Sequence, residues 1–434
     1  MNKKSVTVVY GITSSTNKFI ESDYNEDDNL FVTTHGQEPF RGTHSISLCE
    51  LAERNDIVIR RIIICSEAVT AILSSLRDFN IPLENCFFYN HSKNQLTSYK
   101  ELIIPAVEEE KILYAVYDLS SHLPCFDITT FSILAEHERR KLKLNNICFI
   151  ILPNISTQKD YEGVRQFHTE EDYNWRVDHI VKSVMRCIPS CISIVELPFR
   201  EKLPSFINES KYIYPAEAIH GSVKTKTPTT SLKSALASCG NLAFMKPPKN
   251  AITLVKNYID NYIKGKKLIT VTLREYQEQV VRNNDIQSWS RFLNEIDTEV
   301  YYPIIVRDSY YSASPMPKGL EAFNDFPQAS ADFLVRLALY QEAYLNMGVS
   351  TGPTFTISFI KNARSLIFHP IDEDNPASSS EAARKAGLTI GEDYFFNDNE
   401  FQKTIWQRDS YENIRHNFYK LIEKISNREH EEQQ

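Results

Sequence analysis

The 434-residue chain has only 12 glycines and no apolar stretch near the roughly 18 residues that a membrane-spanning helix requires. Its most apolar run, Ile147 to Pro153, has the length of a strand. The basic start Met1-Asn2-Lys3-Lys4-Ser5 leads only into Val6 to Tyr10, too short for a signal-peptide core. A cytoplasmic location without a transmembrane segment is expected, and contact with a membrane surface stays open. Excess positive charge is also missing: the net charge is −8, so no global basic field draws the protein to nucleic acid. The eight cysteines include no CxxC and no accompanying His pair, which argues against a structural metal site; several lie in apolar runs and read as reduced, buried thiols. G-x-G-x-x-G, G-x-x-x-x-G-K-S/T and G-x-S-x-G are all absent, against dinucleotide oxidoreductases, P-loop enzymes and typical α/β hydrolases. No repeat recurs at a solenoid period.

What is present is a globular composition, 42% hydrophobic and 24% charged, in a chain long enough for two domains and an appendage. Strand-like and helix-like patterns alternate, which predicts an α/β fold with parallel sheets. Ile62 to Cys65, a helix from Ala68 to Phe79 and Cys86 to Tyr89 form one such unit, the helix carrying Val69, Ile72, Leu73, Leu76 and Phe79 as an apolar stripe. Strands follow at Ile112 to Tyr117, Ile147 to Leu152 and Ile192 to Glu196, with helices at Thr129 to Lys141 and Asp172 to Cys187 between them. The pattern loosens from Leu203 to Asn250, which reads as a connection. It resumes with strands at Leu268 to Leu273, Tyr301 to Val306 and Ser365 to His369. Helices are expected at Gln287 to Ile296, Ala331 to Met347 and Thr354 to Ile360, and a last one from Glu400 to Lys424 that could cross back over the first domain. The expected division is 1–100, an N-terminal α/β segment; 101–250, a Rossmann-like domain with its linker; and 251–434, a second Rossmann-like domain.

Three constellations could carry chemistry. At Ser350-Thr351-Gly352-Pro353 a strand runs into a helix start: Gly352 permits close backbone approach, Pro353 suits the first helical turn, and free N–H groups with the hydroxyls of Ser350, Thr351 and Thr354 could bind an anion. An ordinary Ser/Thr cap is the competing reading. Arg274 follows a buried strand, where open α/β sheets place their ligands, and Arg282 opens Arg282-Asn283-Asn284; a guanidinium there can grip a diphosphate, or Arg274 can pair with Glu275 or Glu278. Asp118 closes the strand Ile112 to Tyr117 and Asp127 lies in the next loop; either could act as a general base or cap a helix. Arg165, His168, Trp175 and Arg176 are further cleft candidates. Asp372-Glu373-Asp374 has the DxD form of metal-dependent sugar transferases, a short acidic pattern that is frequent by chance, and no metal is assigned.

The stretch Leu337-Ala-Leu-Tyr-Gln-Glu-Ala-Tyr-Leu-Asn-Met-Gly-Val-Ser-Thr-Gly-Pro-Thr-Phe-Thr356, with the strand at Leu366-Ile-Phe368, resembles the heptosyltransferase pattern of GT-B-type glycosyltransferases. It is also similar to bacterial sugar-transferase-like proteins with a Leu-Arg-Glu strand end and a Ser-Gly-Pro or Asn-Gly-Pro turn. The likeness covers roughly 267 to 370, with a fainter echo at Tyr117-Asp118-Leu119, at Phe126-Asp127 before a helix, and at Leu152-Pro153. The heptosyltransferase motif is usually followed by His, and here Thr354-Phe355-Thr356 stands in its place. The resemblance implies two Rossmann-like domains in a GT-B-like arrangement and a nucleotide-sugar donor held by Arg274, Arg282, Ser350, Thr351, Gly352 and Thr354. It implies a glycan or surface-polysaccharide precursor as acceptor, Asp118 or Asp127 as base, and metal-independent transfer with no cofactor. A non-catalytic binding module for a nucleotide or glycan is the rival. A methyltransferase-like reading of the unit around Ile62 to Tyr89 is weakened by the missing glycine-rich loop.

Overall fold

The computed structural model describes residues 3–26, 28–99, 111–154, 170–207, 212–220, 223, 227–277 and 279–433. Arg165, His168 and Glu278 lie outside them. The chain divides into two compact units, Met1–Glu109 and Glu110–Gln434.

The first unit contains β1 (Lys4–Tyr10), α1 (Ser14–Ile20), β2 (Asn29–Thr33), the short β3 (Pro39–Phe40), β4 (Thr43–His44) and β5 (Ile46–Ser47), α2 (Leu48–Glu53), β6 (Ile57–Ile64), α3 (Val69–Asp78), β7 (Cys86–Asn90) and β8 (Gln95–Ser98). Its main sheet has the order β5-β2-β1-β6-β7-β8, parallel except for the β7–β8 pair. The expected stripe of α3 places Ile72 and Leu76 in the core, whereas Phe79, at the helix end, is largely exposed.

The second unit holds two sheets. The first comprises β9 (Ile112–Asp118), α4 (Ile128–Lys141), β10 (Asn146–Leu152), β11 (Cys191–Glu196) and β12 (Ile213–Tyr214), all parallel in the order β11-β10-β9-β12. A helical run over 170–186, with a π turn at Val177–Val181, precedes β11. The stretch expected to be only a connection supplies the edge strand β12 and a helix, α5 (Ser231–Cys239), whose Leu232 and Ala235 enter the core. Its polar surface residues hide how few apolar contacts suffice to dock it.

The second sheet follows α6 (Lys249–Tyr258). It contains β13 (Lys267–Thr272), α7 (Ile286–Glu295), β14 (Tyr301–Val306), β15 (Asn324–Asp325), α8 (Phe333–Glu342), β16 (Leu345–Val349), α9 (Gly352–Phe355), β17 (Ser365–Phe368) and β18 (Gln402–Ile405), and is followed by α10 (Tyr411–Gln433). All strands are parallel and the order is β15-β14-β13-β16-β17-β18, the 3-2-1-4-5-6 order of a Rossmann fold. The first sheet repeats the 3-2-1-4 portion. The α/β class with two Rossmann-like halves and an extra N-terminal α/β unit therefore stands. The two halves share one hydrophobic cluster, in which Phe126 meets Phe333 edge-on at 5.1 Å and the Met245 N–H donates to the Phe359 carbonyl at 2.9 Å.

Two expected helices are corrected. The one drawn to Met347 ends at Glu342, and Leu345–Val349 is instead a fully buried central strand. Its apolar run suits a strand covered on both faces as well as it suits a helix. Gly348 is required there, because a Cβ would lie 2.7 Å from the Thr272 carbonyl oxygen of β13. The last helix begins at Tyr411 rather than Glu400, since Gln402–Ile405 pairs with β17. Its Ile414, Phe418, Leu421 and Ile425 pack with Trp289, Phe292 and Tyr301 of its own half, at the spacing of one helix face. Polar groups inside the sheet are paired: Thr270 Oγ1 donates to Asn346 Oδ1 at 2.7 Å, and the Thr272 and Tyr340 hydroxyls are 2.8 Å apart.

All eight cysteines are free thiols, four of them buried. Substituting Gly348→Ala should destabilise the protein by about 1–3 kcal/mol, because the Thr272 backbone of β13 resists the added methyl group; a lowered urea midpoint checks it.

Candidate functional site

The ligand crevice of a doubly wound sheet lies where the strand order reverses, outside the strands' carboxyl ends. In the second sheet that point is between β13 and β16, and it is flanked by Arg274 and by Ser350-Thr351-Gly352. The Arg274 N–H donates to Asn284 Oδ1 at 2.7 Å, which folds the loop after β13 back over the strand end. Arg274 Nη2 and Arg282 Nη1 both donate to Gln279 Oε1, at 3.2 and 3.0 Å, and Arg282 Nη2 donates to the Ser350 carbonyl at 3.3 Å. Two guanidiniums thus meet beside the turn. Among the described residues neither has a carboxylate within ion-pair distance; Glu275 is committed to Arg307, whose Nε and Nη2 grip its two oxygens at 2.9 and 2.7 Å. Burial, followed by repulsion from Arg282, lowers the Arg274 pKa to about 10, and burial lowers that of Arg282. Among the described residues, Arg274 Nε and Asn284 Nδ2 are buried with no acceptor.

The turn itself is a cap. Thr351 Oγ1 accepts the Thr354 N–H at 3.4 Å and Thr354 Oγ1 accepts the Thr351 N–H at 2.9 Å, a reciprocal capping box. Thr354 is buried and its hydroxyl also contacts the Val349 carbonyl, so the expected phosphate-binding roles of these two hydroxyls give way to closing the turn. Gly352 does serve close approach, but to a side chain: a Cβ would fall 2.5 Å from Phe126 Cδ2. The helix after it is one turn, Gly352–Phe355, continued by a 3₁₀ turn over Thr356–Phe359. The Gly352 N–H, at the first helical position, is one that a helix leaves without an intrahelical acceptor.

Sequence reasoning overlooked the other wall. His369 follows β17, its Nδ1 lies 2.7 Å from the Tyr394 hydroxyl and its ring stacks on Trp406 at 4.7 Å. Tyr394 also reaches Ser350 Oγ at 3.3 Å. Burial, then the nearby Arg282 charge, lowers the His369 pKa to about 4, so the imidazole is neutral at pH 7. The position of His369 at a strand's carboxyl end was a usable signal. Nothing near Tyr394 or Trp406 in sequence marked them.

Asp118 has a different setting from the base expected of it. Its carboxylate takes both Nη atoms of Arg200, one of them at 2.7 Å, together with the N–H groups of Ser120 at 2.8 Å and Val223 at 3.0 Å. Four donors fill the lone-pair directions of a carboxylate. Burial acts to raise its pKa, but Arg200 and the two N–H groups outweigh it and hold the value below the ordinary one. A saturated, acidic carboxylate is a poor proton acceptor. Asp127 is exposed, makes no cap bond to α4, and neighbours the Phe126 that lies on Gly352. Trp175 stacks on His179 at 4.8 Å and Arg176 pairs with Asp172 at 2.9 Å, both within their own helical run. Around the DxD sequence the carboxylates accept local N–H groups, Asp372 from Asp374 and Glu373 from Ser380. Among the described residues no group of three potential ligands gathers for a metal, and no helix is long and apolar enough to cross a membrane.

No protein-family model matches the sequence, and no curated protein matches it significantly. Among solved structures, the chain is similar to a glycosyl transferase of family 9 from Veillonella parvula (10% identity, 72% of this chain and 97% of that one, TM-score 0.43). It is similar to the E. coli ADP-heptose lps heptosyltransferase II (8% identity, 73% and 99%, TM-score 0.43). It is also similar to the UDP-GlcNAc 2-epimerase of Neisseria meningitidis (12% identity, 96% and 91%, TM-score 0.27). At such TM-scores these likenesses add no weight to what the strand order already shows.

Two outcomes follow. Asp118→Ala should cost roughly 3 kcal/mol by leaving Arg200 without its carboxylate, read by urea unfolding. Because the folded pKa of His369 lies below its unfolded value, the unfolded chain binds more protons as pH falls from about 6.5 to about 4, and stability drops across that window. In His369→Gln the slope of unfolding free energy against pH should be shallower there.

Proposed function

We propose that this chain is a glycosyltransferase that holds the diphosphate of a nucleotide-sugar donor between Arg274 and Arg282 and moves the sugar to a glycan or surface-polysaccharide precursor in the cytoplasm. One observation carries the reading. At the switch point, two half-buried guanidiniums lack carboxylate partners among the described residues, and the adjacent Arg274 Nε and Asn284 Nδ2 are buried donors without acceptors. Such a site asks for a ligand made of acceptors with negative charge, and a diphosphate meets both demands. The Gly352 N–H and Ser350 complete the cradle, while Thr351 and Thr354 shape it. The sequence resemblance over 267 to 370 supplies the class of donor.

In the proposed step, an acceptor hydroxyl loses its proton to Asp127, its oxygen bonds to the anomeric carbon, and the bond from that carbon to the diphosphate oxygen breaks. The charge that develops on the departing nucleoside diphosphate is stabilised by Arg274 and Arg282, so transfer is metal-independent in this reading. Asp127 replaces Asp118 as the base because the latter is saturated. That same saturation favours the second reading, a nucleotide-binding module without transfer.

Calorimetric titration with UDP, ADP and GDP tests the site. At least one should bind, and Arg274→Met and Arg282→Met should each weaken it about 10- to 100-fold without lowering thermal stability. Equal affinity in the variants, or no binding at all, removes the donor site. Nucleotide release from sugar donors then separates the readings: Asp127→Asn should lower kcat while leaving nucleotide affinity in place, whereas a binding module releases nothing.

A further inference from the structure

A second feature of the C-terminal half lies away from the arginines. The helical run that begins with α6 enters β13 at Lys267, the opposite end of that strand from Arg274. Its last turn, Ile259–Ile263, is a π turn, a local widening that often marks functional positions. Tyr258 and Tyr262 lie on either side of its start with ring centroids 5.0 Å apart, and Phe326, after β15, stacks on Tyr258 at 4.6 Å with the planes 20° apart. Tyr258 and Tyr302 pack against the same apolar cluster. Tyr262, by contrast, is 62% exposed.

These rings border a surface pocket of about 390 Å³ lined by Leu254, Asn257, Tyr258, Asn261, Tyr262, Phe326 and Gln328. No lining side chain is ionisable near neutral pH. Three are primary amides, and among the described residues the Asn257 and Gln328 side chains make no hydrogen bond, while Asn261 donates only to the Asn257 carbonyl at 2.7 Å. An aromatic face attracts polarised C–H bonds, and amides offer paired donors and acceptors to hydroxyls. A pyranose ring presents that combination: C–H groups across its face and hydroxyls around its rim. None of these lining side chains offers a counter-ion to a charged ligand. At about 390 Å³ the pocket falls within the roughly 300–1,000 Å³ of small-ligand sites.

We infer that the Tyr258–Tyr262–Phe326 array with Asn257, Asn261 and Gln328 is a binding platform for neutral saccharide, separate from the phosphate site. It does not rest on the proposed transfer reaction, since a non-catalytic protein could use it equally. It gives a glycan a second hold on the protein.

The full chain can be tested by ligand-observed saturation-transfer NMR with maltohexaose, cellohexaose and chitohexaose. At least one should show transfer to its ring C–H protons, Tyr262→Ala should weaken it about tenfold, and Tyr262→Phe should retain it, since the ring face and not the hydroxyl makes the contact. Nucleoside diphosphate binding should be the same in all three proteins, so failure here is distinguishable from failure of the phosphate site. No transfer to any of the three oligosaccharides overturns the platform, as does binding unchanged in Tyr262→Ala. A dimer of the native chain that becomes monomeric in Tyr262→Ala also overturns it, by assigning the surface to a second copy.

Discussion

The pairing of β13 with β16 is the constraint on which the second unit's C-terminal half depends. It joins strands separated by more than seventy residues, at the place where the sheet reverses its winding. Thr270, Asn346, Thr272 and Tyr340 are buried between these strands and α8, and each finds its partner there. Buried polar groups that are satisfied only in one register penalise every other register. Gly348 completes the match by letting β16 approach the Thr272 carbonyl. Because the register is set, the strand ends that carry Arg274 and Ser350 arrive side by side.

That arrangement leaves an electrostatic imbalance. Elsewhere in the same half, buried cations are matched: Arg307 by Glu275, and Arg336 by three carbonyl oxygens. Arg274 and Arg282 share one neutral amide oxygen instead, and each is destabilised by burial. Among the described residues, these two guanidiniums are held by neutral oxygens and have no carboxylate within ion-pair distance. The neutral His369 beside them adds no further positive charge at pH 7. The first sheet repeats the strand order but neutralises its corresponding strand end, where Asp118 is closed off by Arg200. The two Rossmann-like halves are therefore alike in topology and unlike in the charge balance at these strand ends.

Much of the architecture was legible because it rests on local pattern. Strand Tyr301–Val306 and helix Ile286–Glu295 emerge within a residue of their expected limits, since apolar period and burial agree there. Leu345–Val349 did not, because an unbroken apolar run fits a buried strand and a buried helix alike. The stretch 203–250 was misread for the opposite reason: its elements are short and dock by a few residues such as Leu232, Phe244 and Met245.

The sequence by itself determined the α/β class, the strand-to-helix turn at Ser350 to Pro353, and the placing of arginines after a strand. These follow from residue period and turn chemistry, which act over a few positions. Only the tertiary structure decided what those groups do. It spent the Thr351 and Thr354 hydroxyls on a capping box, filled the space above Gly352 with Phe126 and saturated Asp118 with Arg200. It left Arg274 and Arg282 without a carboxylate within ion-pair distance among the described residues. The reason is physical: whether a polar group is free for a ligand depends on which distant groups reach it first, and that is settled by packing between strands far apart in the chain.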